Sequence, residues 1–102
     1  DVERSRGLGD VYKRQVVNAL LTLLKAEYAK KELTISLFLH ESGISRPVFF
    51  NHLKRNLELA GLVEFKVNPD RTITVHLTER GRKLAQALKS VEDVLKEIGV
   101  IS

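Results

Sequence analysis

The stretch SGISRPVFFNHLKRNLELAGLVEF, residues 42–65, decides the fold. Gly43 stands where a helix ends on a residue of positive φ, a conformation glycine adopts without steric cost. Ser45 is placed to cap a new helix, because its hydroxyl can accept from an orphan N–H of the first turn. Pro47 is tolerated in that turn, where its missing N–H has no intrahelical partner. The run therefore predicts a helix over 46–60, ended by Gly61. At about 100° per residue, Leu53, Leu57 and Ala60 fall within about 80° of Phe49 and form one apolar stripe. Pro47, Asn51, Lys54 and Glu58 centre on the opposite side. Two helices joined by a short turn containing glycine make a helix-turn-helix pattern.

Upstream, SLFLHES (36–42) is the first helix of that pair, and either Thr34 or Ser36 can cap it. Leu33, Thr34 and Ile35 read as a short strand. Before them, VVNALLTLLKAEYAK (16–30) is a helix whose Val16, Val17, Leu20, Leu21, Leu23, Leu24 and Tyr28 spread over about 160° of the wheel. So wide an arc fits either a deeply buried helix or one that touches both its own core and a second subunit. Residues 1–15, DVERSRGLGDVYKRQ, hold two glycines, mixed charges and no apolar period. The string SRGLGDVYKRQ also resembles translated sequencing-adapter read-through. Residues 1–15 are therefore expected to be a non-native or disordered leader, outside the functional argument.

Downstream the period changes to two. LVEFKV alternates with Val63, Phe65 and Val67 on one face, and TITVHLT with Ile73, Val75 and Leu77. The turn signal NPDR lies between them, so the pair predicts a β-hairpin with its turn at 68–72. Thr78 caps a last helix from Glu79 to about Ile98, and Gly99 ends it, leaving 99–102 as a tail. The expected core is Leu37, Phe49, Leu53, Leu57, Leu62, Phe65, Ile73 and Val75.

The chain has 102 residues, enough for one domain and little more. Its 43% hydrophobic and 29% charged residues are those of a folded domain rather than a disordered tail. Cysteine is absent, which excludes disulfides, thiolate zinc sites and a cysteine nucleophile. No apolar run approaches the roughly 20 residues of a membrane helix, so no membrane role is expected. The net charge is +4, and still +3 once residues 1–15 are set aside, a mild pointer to a polyanionic partner. His40, His52 and His76 are far apart in sequence, so no metal site is expected. No cofactor is expected either, because no Gly-rich phosphate loop is present. The serines have capping or surface explanations, so no catalytic set and no enzyme is read.

Residues 42–65, followed by TVHLTERGRKL (74–84), resemble the winged-helix transcriptional regulators of the broad ArsR/MarR group, especially small archaeal members. The resemblance spans residues 16–98. It implies a mostly α fold with a small β-hairpin (α+β), carrying N- and C-terminal dimerisation helices. It further implies a cytoplasmic, nucleoid-associated regulator that binds double-stranded DNA as a homodimer. Leu39 stands where relatives place alanine, which puts the usual close helix packing in question.

The residues make a physical case beside that resemblance. A helix that enters the major groove buries one face and presents short polar or basic side chains on the other. Ser45, Arg46, Pro47, Phe50, Asn51, Lys54 and Arg55 are the candidates for this surface. Arg46 is suited to guanine and Asn51 to adenine, whereas Lys54 and Arg55 suit phosphates. Phe50 can pack beside the core or meet a thymine methyl. Glu58 faces the same side and counts against the reading, yet residues 45–60 still carry +2. In the wing, Asn68 and Arg71 are the candidates, with Arg71 suited to a narrow minor groove. A protein-contact module of a transcription assembly and an architectural chromatin protein are the alternatives. The dimer interface is expected at Val17, Leu20, Leu21, Leu24 and Tyr28 of the first helix and at Leu84, Leu88, Val91, Leu95 and Ile98 of the last. The distal half of that last helix has no obvious partner in its own chain.

Overall fold

The computed structural model describes residues 2–100, with side chains from Tyr12 onward. Helix α1 (Val2–Tyr28) leads into strand β1 (Leu33–Thr34) and helix α2 (Ile35–Ser42). Helix α3 (Arg46–Val48), a π-helical turn (Phe49–Leu53) and helix α4 (Lys54–Leu59) follow as one continuous rod. Strands β2 (Val63–Val67) and β3 (Ile73–Leu77) form the hairpin, and helix α5 (Glu79–Glu97) closes the chain. The architecture is the expected α+β one, with one addition. The hairpin is joined by β1 into a three-stranded antiparallel sheet of order β1-β3-β2. The backbone of α1 is already helical at Val2, upstream of the start expected at Val16. Of the expected tail, Ile101 and Ser102 lie outside the described residues.

Local signals explain the boundaries. Of the two possible caps for α2, Thr34 is the one used: its hydroxyl accepts from the Leu37 N–H at 3.3 Å. Gly43 ends α2 at φ 73°, and Ser45 caps α3 through the Val48 N–H. Helix α1 ends differently. Lys30 adopts φ 55°, and the Lys31 N–H closes back on Ala26, so a lysine occupies the left-handed position usually given to glycine.

The core lies between α1, α2, the 46–59 rod and the sheet. Phe38, Phe49, Leu20, Leu24, Leu33 and Leu53 are its largest fully buried side chains, and Phe38 meets Phe49 edge-on at 5.6 Å. Leu39 is buried too, so α2 accommodates the larger side chain. Two expected core members are corrected. Leu37 and Ile73 are exposed, as is Val67 opposite Ile73. For Ile73 and Val67 the reason is geometric: that end of the hairpin carries the wing turn, where its inward face meets no body of the domain; Leu37 lies on α2, on the side away from the buried Phe38 and Leu39. Thr74, on the face of β3 opposite Val75, is buried in the central strand, and its hydroxyl lies 2.7 Å from His76 Nε2.

The stripe Phe49, Leu53, Leu57 repeats every four residues. A regular 3.6-residue turn would let it drift by about 40° at each step. The π turn, where the Lys54 N–H reaches back five residues to Phe49, widens the helix and holds all three on the core. Ala60, expected in the stripe, is exposed as a result.

Helix α5 is locked at its start. Thr78 accepts from the Gly81 N–H, donates its hydroxyl to the Gly61 carbonyl, and donates its own N–H to Leu62. Arg80 donates to the Ala60 carbonyl. Farther along, Arg82 forms a two-pronged pair with Glu27 of α1, both N–O distances 2.8 Å. The Arg82 hydrogen bond holds the Glu27 carboxyl below its ordinary value of 4.5. A depressed carboxyl stabilises the fold above its unfolded value and loses that contribution as pH falls through the folded value. Urea titrations at pH 7 and below pH 4.5 should therefore show a smaller acid loss for Glu27→Gln than for the unmodified chain.

Candidate nucleic-acid interface

Because Phe49, Leu53 and Leu57 face inward, the opposite side of the 46–59 rod is open. Asn51 and Arg55 are exposed there, and Arg55 makes no ion pair among the described residues. Lys54 is different: its ammonium lies 3.0 Å from Glu58 and 4.8 Å from the centre of the Phe65 ring. Of the two expected phosphate contacts, only Arg55 keeps its charge uncommitted. Ser45 and Pro47 are exposed at the start of the helix. Arg46, at the same end, donates to the Ser36 hydroxyl at 3.0 Å. Phe50 packs edge-on against Phe49 at 5.1 Å and is 47% exposed.

The wing turn is held by its own residues. The Asn68 N–H donates to the Thr72 carbonyl, the Arg71 N–H donates to Asn68, and Asp70 accepts from both the backbone and the hydroxyl of Thr72. Those Thr72 hydrogen bonds lower the Asp70 carboxyl from its ordinary value. Arg71 sits at φ 70°, the left-handed position of a hairpin loop where glycine is the usual choice. A side chain there is disfavoured by about 1–2 kcal/mol. Arg71→Gly should therefore leave thermal stability unchanged or raise it by up to about 1 kcal/mol, the relief being partly offset by glycine's greater freedom when unfolded. Calorimetry on the variant and the unmodified chain checks this.

Helix start and wing meet. Arg46 and Phe50 line one side of an open groove of about 330 Å³, and Arg71, Thr72 and Ile73 line another. Its lining holds two guanidinium groups and no carboxylate. Sequence spacing alone could not bring Arg46 and Arg71 together; the sheet register does. The Lys54–Glu58 pair, in contrast, was legible as an i,i+4 spacing.

The expected dimer residues divide. On α1, Leu20 and Leu24 are buried in the chain's own core, Val17 and Leu21 are half-buried, and Tyr28 is 64% exposed. On α5, Leu88 and Leu95 are half-buried, whereas Leu84, Val91 and Ile98 are exposed. Val94, not among the expected residues, is exposed beside them. Among the described residues, no group of His, Asp or Glu is arranged to hold a metal ion, and no helix is long and apolar enough to cross a membrane.

A family model described as the ArnR1-like winged-helix domain matches residues 10–95. The chain belongs to this family. No curated protein sequence matches it. Among solved structures, the ArnR1-like chain is similar to AF1382 of Archaeoglobus fulgidus. The TM-score is 0.71 at 24% identity, over 81% of this chain and 89% of that one. It is similar to MepR of Staphylococcus aureus, a transcription regulator of the multidrug efflux pump MepA, with TM-score 0.71 and 26% identity. That match covers 86% of this chain but 64% of MepR. It is also similar to Sso10a-2 of Sulfolobus solfataricus, a DNA-binding protein, with TM-score 0.58, 20% identity and coverage of 80% and 82%. In this ArnR1-like winged helix, α2 and the 46–59 rod are the helix-turn-helix, and 68–72 is the wing tip.

Proposed function

We propose that this chain is a DNA-binding transcription regulator that acts as a homodimer, with residues 16–98 as its functional unit. The carrying observation is the groove that puts Arg46 of the helix and Arg71 of the wing on one surface, with Asp70 bound to Thr72 at its edge. An anionic backbone fits such a surface, because phosphate contacts supply most of the affinity of DNA-binding proteins. Kinship with a winged-helix family supports the reading, as does the likeness to MepR and to Sso10a-2, described as a transcription regulator and a DNA-binding protein.

In this reading the 46–59 rod enters the major groove. Arg46 and Asn51 read base edges, Phe50 meets a thymine methyl, Ser45 and Pro47 set the approach, and Arg55 holds a phosphate. Lys54 contributes less, being neutralised by Glu58. The wing lays Arg71 along the minor groove, with Asn68 beside it. The setting is the cytoplasmic nucleoid, and residues 1–15 take no part.

Selection of bound fragments from genomic DNA, followed by gel-shift titration at two salt concentrations, tests the proposal. A few enriched sequences whose affinity falls steeply with salt are expected. Equal retention of all fragments would indicate an architectural protein, and no retention a protein-contact module.

A further inference from the structure

Ser36 stands in the first turn of α2 without capping it. The cap is Thr34, whose hydroxyl accepts from the Leu37 N–H, so the Ser36 hydroxyl is left for another partner. That partner is Arg46, in the first turn of the next helix. Its Nη2 donates to Ser36 Oγ at 3.0 Å. Ser36 lines the same groove as Arg46 and Arg71. Arg46 makes no ion pair among the described residues, so the serine is what directs its guanidinium.

We infer that Ser36 is a positioning residue for base reading: its hydroxyl holds the Arg46 guanidinium in one orientation before DNA arrives. The inference rests on the DNA-binding reading above. An arginine reads guanine through two parallel N–H groups, so both the direction and the plane of the guanidinium matter. The group carries five N–H donors. One of the two on Nη2 is spent on Ser36, and whichever it is, one parallel pair remains. An unheld arginine must lose rotamer freedom as it docks on a base edge, and Ser36 removes part of that freedom in advance. A hydroxyl also orients without neutralising. Lys54, held by the Glu58 carboxylate, has its charge offset, whereas Arg46 keeps its charge for DNA. Arg55 is the contrast: it has no side-chain partner among the described residues, and a phosphate contact carries no base information that would demand a fixed plane.

Binding titrations on a sequence selected from genomic DNA, on its single-base variants and on random DNA test the role. Ser36→Ala should weaken the selected site by roughly three- to tenfold. It should relax preference at the same base position as Arg46→Ala, and leave random DNA and the melting temperature unchanged. Ser36→Thr keeps the hydroxyl and should restore most of the loss. In an Arg46→Ala chain, adding Ser36→Ala should change nothing further, because the two act as one unit. In the free protein, the NMR order parameter of the Arg46 Nε–H should fall in Ser36→Ala. A loss that is equal on selected and random DNA, or that persists in the Arg46→Ala chain, makes Ser36 a phosphate contact in its own right and overturns the positioning role. Undiminished binding of the selected site by Ser36→Ala, or an unchanged Arg46 order parameter, overturns it as well. All of these leave the regulator reading intact. A chain that prefers no DNA sequence removes that reading, and the role of Ser36 with it.

Discussion

Gly81→Ala should destabilise the domain by about 3 kcal/mol or more, a large share of the stability of a domain this size. A Cβ on Gly81 would overlap the carbonyl oxygen of Leu62 and come within 2.9 Å of its carbonyl carbon. The obstacle is backbone, so no side-chain rotation relieves it. Movement of α5 would break the Thr78 bonds to Gly61 and Leu62 and shift the Arg82–Glu27 pair. At roughly 4–8 °C per kcal/mol, the melting temperature should fall by more than about 12 °C. A fall of only a few degrees would mean that α5 is not seated on Leu62 as described.

The second large effect is on DNA. Arg46→Ala and Asn51→Ala should each weaken the preferred site by about 1–3 kcal/mol, and each should relax preference at one base position. Arg55→Ala should weaken all sequences alike and reduce the salt slope by about one. Lys54→Ala should leave that slope nearly unchanged, because Glu58 already pairs with the lysine. That last contrast comes from the structure; the sequence assigned Lys54 and Arg55 the same role. Equal losses on preferred and random DNA for all four variants would remove the base-reading roles of Arg46 and Asn51.

Local chemistry made most of the fold legible. The caps Ser45 and Thr78, the left-handed Gly43 and the change from helical to alternating period each act within a few residues. What the sequence could not reveal depends on distant parts of the chain. Wheel arithmetic at a constant turn placed Ala60 inside, because nothing local announces a π turn; the four-residue repeat of Phe49, Leu53 and Leu57 was its trace. Alternation placed Ile73 in the core, because a period of two gives the face but not where the supporting body ends. Leu20 and Leu24 looked available to a partner, since a wide arc does not say how much of it the chain itself covers. At the candidate site, the members on the helix and on the wing were each visible, but their common groove arises only when β3 pairs between β1 and β2.

In the proposed function, two copies of this winged helix read one DNA site through helix and wing together. Footprinting on a sequence selected from genomic DNA tests it most directly. A two-fold symmetric footprint is expected, with half-sites about one helical turn, or a whole number of turns, apart. Arg71→Ala should lose protection of the A·T-rich flanks first. A footprint from a single, asymmetric half-site, unchanged by Arg71→Ala, would contradict it.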